Sequence, residues 1–210
     1  MTELHLAEGV FAVDVDRELV LLDLRHDAYH CLVDGAPLLA GPAWSGLLTA
    51  EAETLLGPAG LTAGAAAPGR RPLPTRPTST IIHETGSARI SPQAFTAGAA
   101  SSLKTLKASR RPGLASQLAV SGDGIAGSAS AIVEEARAFW KLLPWLPIDG
   151  ECVQRSAVLA AFLRRRGLKA DWVVAVRLWP FRAHCWLQCG DICLNDDYER
   201  LAAFTPIYVR

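Results

Sequence analysis

Residues 64–78, GAAAPGRRPLPTRPT, carry four prolines and two glycines, so neither a helix interior nor a central strand can run through them. The composition is that of a linker over 65–78, and it divides the chain into a unit at 1–64 and a larger one at 79–210. The first unit sits near the lower size limit for an independently stable core, which favours a binding module there over an enzyme.

Within 1–64 the patterning predicts three short strands: Gly9–Val15 (GVFAVDV), Leu19–Leu24 (LVLLDL) and Ala28–Val33 (AYHCLV), each entered through a Gly or charged turn. Helical material is expected over Pro37–Leu48. A short helix should follow from Ala50, with Thr49 as its N-cap and Gly57-Pro58 as its stop. Residues 79–130 are poorly patterned. Ser101–Arg111 reads as a basic helix and Ser121–Ser130 as a Gly-rich loop.

Charge is uneven although it sums to zero. Ten acids against two arginines leave −8 on 1–64, while 65–130 carries +6 and 131–210 carries +2. No single unit is strongly basic, which argues against nucleic acid as the main partner. The longest apolar runs, such as Ala157–Leu163, are far short of a membrane span, and Met1–Glu8 lacks the pattern of a signal segment. A soluble, cytoplasmic protein is therefore expected. Five cysteines (31, 152, 185, 189 and 193) form no paired framework and read as free thiols. The four-residue spacing of Cys185, Cys189 and Cys193 is not a zinc spacing, so apolar packing is expected rather than a metal site. No Gly-rich phosphate loop appears, and no cofactor is expected.

The last eighty residues are clearly patterned. A helix over Ala131–Leu143 should stop at Pro144, and a turn follows at Pro147-Ile148-Asp149-Gly150. A second helix should run from Glu151 to Arg166 with Gly167 as its C′ residue. Strands are expected at Ala170–Trp179, Ala183–Cys189 and Ile192–Asn195, with a corner at Pro180-Phe181. Two helices followed by three strands give an α+β fold, the second helix lying on an antiparallel sheet.

This arrangement puts Cys152 in the first turn of a helix, where unpaired amides and the positive dipole end favour a thiolate and can hold an oxyanion. On a buried helix, the same residue is also what a small core cysteine looks like. His184, opening the next strand but one, is a candidate base, with Trp186 on its face by period two. Asn195-Asp196-Asp197 then offers a group to orient the imidazole. A two-residue Gly190-Asp191 turn puts Asp197 opposite His184, whereas a three-residue loop brings Asp196 to it. Spacing leaves both open.

The order of a helix-start Cys, an A-H-x-W strand and a following Asp resembles the transglutaminase-like (papain-related) superfamily. Over residues 131–210, the helix C-x-x-x-S-x-x-L-x-x-x-L with its R-R-G end, the P-F-x-A-H-x-W strand and L-N-D resemble the B proteins of lasso-peptide biosynthesis. That resemblance implies Cys152 as nucleophile, His184 as base and Asp196, the aspartate of L-N-D, as orienting group. It also implies removal of a leader from a ribosomal precursor peptide, whose core a separate ATP-dependent macrolactam synthetase closes. The stretch LVLLDLRHDAYHCL is similar to the small winged helix-turn-helix-like domain that recognises such leaders. This implies strand addition beside Tyr29, His30, Cys31, Leu32 and Val33. Two other functions share these residues: an acyltransferase or transglutaminase using the same thioester, and a catalytically silent leader-binding scaffold.

Overall fold

The computed structural model describes residues 3–83, 90–108, 113–121, 127–148 and 152–210. The N-terminal unit contains β1 (Leu4–Leu6), β2 (Val10–Val15), β3 (Glu18–Asp23), β4 (Ala28–Leu32), β5 (Leu47–Leu48), α1 (Ala52–Leu56) and β6 (Thr62–Ala63). They form two three-stranded sheets, ordered β5-β1-β6 and β2-β3-β4. The expected helix over Pro37–Leu48 does not form. Pro37, Gly41-Pro42 and Gly46 break it into two 3₁₀ turns, Ala36–Leu38 and Ala43–Ser45. Gly46, at φ 70°, then turns the chain so that Leu47 and Leu48 pair with β1. Thr49 does not cap α1 with its hydroxyl; it supplies a carbonyl to Ala52, and Glu51 holds the cap position.

β3 is buried on both faces. Leu19 and Leu21 join Leu6, Val10, Ala12 and Leu56 in the unit's own core, while Val20 and Leu22, with Val13 and Val15, join the core of the C-terminal unit. The apolar run LVLL, in place of alternation, is the sequence form of such a strand. Each fully buried Val or Leu contributes about 1.5–3 kcal/mol, so this shared face fixes the sheet on its neighbour. The β3–β4 turn is fastened as well: the Asp27 carboxylate accepts from the Leu114 amide at 2.9 Å.

The proline-rich stretch is a fastened strap. Its backbone lacks ladder partners, so side chains and isolated amides make the connections. The Arg70 Nη2 donates to the carbonyls of Leu6, Ala7 and Val10 (3.2, 3.2 and 2.8 Å) while its guanidinium covers the Phe11 ring. Arg71 pairs with Asp171 at 2.8 Å, and the Thr78 amide donates to Asp191. The strap ends in β7 (Ser79–Thr80).

The C-terminal unit continues with α2 (Pro92–Ala108), α3 (Leu114–Ser121), α4 (Ala129–Leu142), α5 (Cys152–Arg165), β8 (Asp171–Arg177), β9 (Arg182–Cys189), β10 (Ile192–Cys193), α6 (Tyr198–Leu201) and β11 (Thr205–Val209). The basic helix expected at Ser101–Arg111 begins nine residues earlier, at Pro92. Its inward face is Ala94, Gly98, Ser101, Ser102 and Thr105, small and partly polar, so no apolar period announced it. The loop expected over Ser121–Ser130 is bounded by helices: Ser121 closes α3, and Ser128 caps α4 through the Ala131 amide. Residues 122–126, 109–111, and Asp149, Gly150 and Glu151 of the expected turn and helix start lie outside the described residues. α5 has eight consecutive buried residues, Ser156–Leu163, because α2, α3, α4 and the sheet surround it. Gly167, at φ 74°, closes it, with the Leu168 amide donating to the Leu163 carbonyl.

The five-stranded sheet is ordered β11-β8-β9-β10-β7, antiparallel except for the parallel β10–β7 pair. Its helix-facing side carries Trp172, Val174, Val176, Cys185 and Leu187. Its other side carries Val173, Ala175, Trp186 and Cys193, covered by Leu201, Phe204 and Leu73 of the strap. Cys185 and Cys193 thus face opposite sides, and all five cysteines are free. The described residues contain no group of three or more metal-ligating side chains, and no helix long and apolar enough to cross a membrane.

Candidate active site

Cys152 is the first residue of α5 and half-buried, in the first turn, where a helix leaves amides without partners of its own. Burying Ser156–Leu163 behind it fixes the helix, and hence the thiol, against β9. In β9, His184 and Cys185 point to opposite faces, yet both act on the Cys152 thiol at the start of α5. His184 is buried, its ring against Phe204 (centroids 5.2 Å) and near Trp186 (6.4 Å), the neighbour expected from period two.

The His184 Nε2 lies 2.6 Å from the Asp196 Oδ2. With Nε2 engaged, Nδ1 is the nitrogen left for the thiol. Asp196 is held in turn by the Asp197 amide on its Oδ1 (2.8 Å) and by Thr80 of β7, whose hydroxyl donates to its carbonyl (2.6 Å).

The β9–β10 turn has two residues, with Cys189 paired to Ile192, and simple continuation would bring Asp197 opposite His184. The ladder instead ends after the Leu194 amide donates to Leu187. Asn195 then substitutes side chain for backbone. Its Oδ1 accepts from the Leu187 amide (2.7 Å) and its Nδ2 donates to the Ser156 hydroxyl (2.8 Å). That break in register turns Asp196 toward His184. Asp197 faces away, accepting from the Glu199 amide at the start of α6 and lying 3.4 Å from His83.

Sequence reasoning missed these supports. Ser156 lies one turn from Cys152 on the same helix face, Asn195 adjoins the candidate aspartate, and Trp140 of α4 donates its indole N–H to the Leu194 carbonyl at 2.7 Å. Helical spacing could have found Ser156; Trp140 left no signal. Asn195→Ala would strand two buried partners, so about 2–3 kcal/mol of stability should be lost, measured by urea unfolding.

Electrostatics favour an ion pair. The Cys185 S–H donating to Cys152 lowers the Cys152 pKa most, burial opposes it, and His184 lowers it further, leaving it at about 4. Cys185 moves the other way, well above its ordinary value, because it donates to Cys152 and is fully enclosed. Burial pushes the His184 pKa down, but Asp196 and Cys152 more than offset this and hold it at about 9. Burial likewise raises Asp196, and its bonds to His184 and the Asp197 amide bring it below the ordinary value. Between those limits the pair is thiolate and imidazolium. Alkylation of Cys152 by iodoacetamide should accordingly titrate with a midpoint near pH 4. Cys31, the exposed thiol, is raised by burial and Glu18, and should react only in alkaline solution.

The residues expected to meet a leader lie on β4, an edge of its sheet whose outer side pairs with no strand among the described residues. Tyr29 faces the C-terminal unit, with its ring 5.3 Å from Phe181. His30 and Cys31 are exposed, Leu32 leans into the N-terminal core, and Val33 is exposed just past the strand.

A thiol at a buried helix start, facing a histidine held by a carboxylate on the adjoining sheet, is the arrangement that papain-like enzymes use for acyl transfer through a thioester. The family model described as transglutaminase-like superfamily matches residues 94–209, and the chain belongs to that superfamily. The match runs from α2 to β11 and leaves the N-terminal unit outside. No curated protein and no solved structure matches the chain. The C-terminal unit therefore has a fold of the cysteine-protease-like or acyltransferase-like kind.

Proposed function

We propose that the protein is a cysteine peptidase that removes the leader from a ribosomally made precursor peptide of the lasso type, acting in the cytoplasm. The observation that carries the chemistry is the 2.6 Å bond between His184 and Asp196, with that histidine acting on the Cys152 thiol at the start of α5. The Cys152 thiolate attacks the scissile carbonyl, and the amides at the start of α5 receive the oxyanion. The His184 imidazolium gives its proton to the leaving amine, and a thioester remains. Neutral His184 then takes a proton from water, whose oxygen attacks the thioester; the leader leaves as its carboxylic acid, which gives its proton to solvent, and the thiolate–imidazolium pair is restored.

The N-terminal unit is read as a winged helix-turn-helix-like leader-recognition domain. The support is the unpaired β4 edge, to which an extended peptide can add as a strand through Tyr29, His30, Cys31, Leu32 and Val33. The freed core would pass to a separate ATP-dependent macrolactam synthetase.

The test is mass spectrometry of a leader-bearing precursor peptide incubated with the protein. Cleavage at one position supports the reading, and an intact peptide in the presence of the synthetase overturns it. Superfamily membership also favours a second reading, transfer of the same acyl group to an amine. A product whose mass grows with an added amine would select that reading.

A further inference from the structure

Tyr29 belongs to the N-terminal sheet, yet it lies at the candidate active site. Opposite Leu22 in the ladder, it shares the face of β2-β3-β4 that is buried on the C-terminal unit, and it packs against the same core as Cys152. Its ring meets Phe181, three residues before His184. Its phenol is raised by burial first, and then by Cys185, Asp27 and Cys152, which sets it within the field of both thiols. Beyond Tyr29 the corner between β8 and β9 presents Trp179, 76 % exposed, and Phe181, 46 % exposed. Phe181 packs on Tyr29 yet keeps nearly half of its surface in water, so the two rings make one apolar wall. The wall belongs to both units, and the shared core with the Asp27–Leu114 bond holds its two sides in fixed relation.

We propose that Tyr29 and Phe181 form a subsite for an apolar side chain on the acyl side of the bond that Cys152 attacks, with Tyr29 as the positioning residue supplied by the N-terminal sheet. This inference rests on Cys152 being the nucleophile. The N-terminal unit then does more than tether a peptide, because part of the substrate-selecting surface is its own.

The experiment uses the full chain and two p-nitrophenyl esters, acetyl and phenylacetyl. Acylation is followed by p-nitrophenol release and by the mass of the protein. The wild type should acylate Cys152 with at least about a tenfold preference for phenylacetyl, the scale that an apolar pocket supplies. Tyr29→Ala and Phe181→Ala should each remove most of that preference, and Tyr29→Phe should restore it. In all three variants the pH midpoint of Cys152 alkylation should stay near 4. An unchanged preference in Tyr29→Ala and Phe181→Ala, or a wild type without preference, would overturn the subsite. So would an alkylation midpoint that rises in Tyr29→Ala, because Tyr29 would then act on the thiolate and not on the substrate. If wild-type Cys152 neither forms an acyl-enzyme nor alkylates below pH 6, the nucleophile assignment fails, and the subsite with it.

Discussion

Cys152→Ala should stop cleavage of the precursor peptide, lowering turnover on the order of 10⁵-fold or more, while the peptide still binds. Only this sulfur combines the start of α5, the action of His184 and a pKa near 4. Cys185 is too enclosed to ionise, and Cys31 lies exposed on the outer strand of another sheet. Binding should survive because the change removes one half-buried sulfur and leaves the β4 edge untouched. Cys152→Ser should be nearly as inactive. Surroundings that bring a thiol to about 4 still leave an aliphatic hydroxyl protonated near neutral pH. Mass spectrometry reads the cleavage and fluorescence anisotropy of a labelled leader reads the binding. If Cys152→Ala loses both, the division into a binding unit and a cleaving unit is wrong.

Legibility in the sequence followed the packing. α4, α5, β8 and β9 were readable because each buries large apolar residues at a regular spacing, and α5 ends on a glycine where one is needed. α2 was half-missed because its buried seam is Gly98, Ser101, Ser102 and Thr105, while Phe95 and Leu103 face outward, the reverse of the usual period. The 3₁₀ turns of residues 36–45 show the opposite error, a leucine-rich stretch read as helix although its prolines and glycines forbid one. The strap was found by composition, but its fastening through Arg70, Arg71 and Thr78 depends on partners far away in sequence. The continuous LVLL of β3 did carry news that its sheet is covered on both sides. Once the sheet docks there, Tyr29 is carried to the candidate site.

The carboxylate that orients His184 is the point that local spacing left open between Asp196 and Asp197, and it carries the second large prediction. Asp196→Ala should lower kcat/KM by roughly 10²–10⁴-fold, and Asp197→Ala should leave it within about twofold. Asp196 does two things for the imidazole: it fixes Nε2 at 2.6 Å, and its charge, with that of the Cys152 thiolate, raises the ring's pKa to about 9. A raised histidine holds its proton below that value and loses it as pH climbs through it. The wild-type rate should therefore fall on the alkaline side near pH 9 and on the acid side near pH 4, where Cys152 takes up a proton. Without Asp196 the alkaline limb should move down toward neutrality, because the imidazolium has lost its buried counter-charge. Asp196→Asn should fall between, keeping a hydrogen-bond partner without the charge. Asp197→Ala removes only the cap of a four-residue helix and a 3.4 Å contact with His83, worth about 1 kcal/mol of stability at most. The pH–rate profiles of the three variants decide the matter. A larger loss in Asp197→Ala than in Asp196→Ala, or an alkaline limb that stays near 9 without Asp196, would transfer the orienting role away from Asp196.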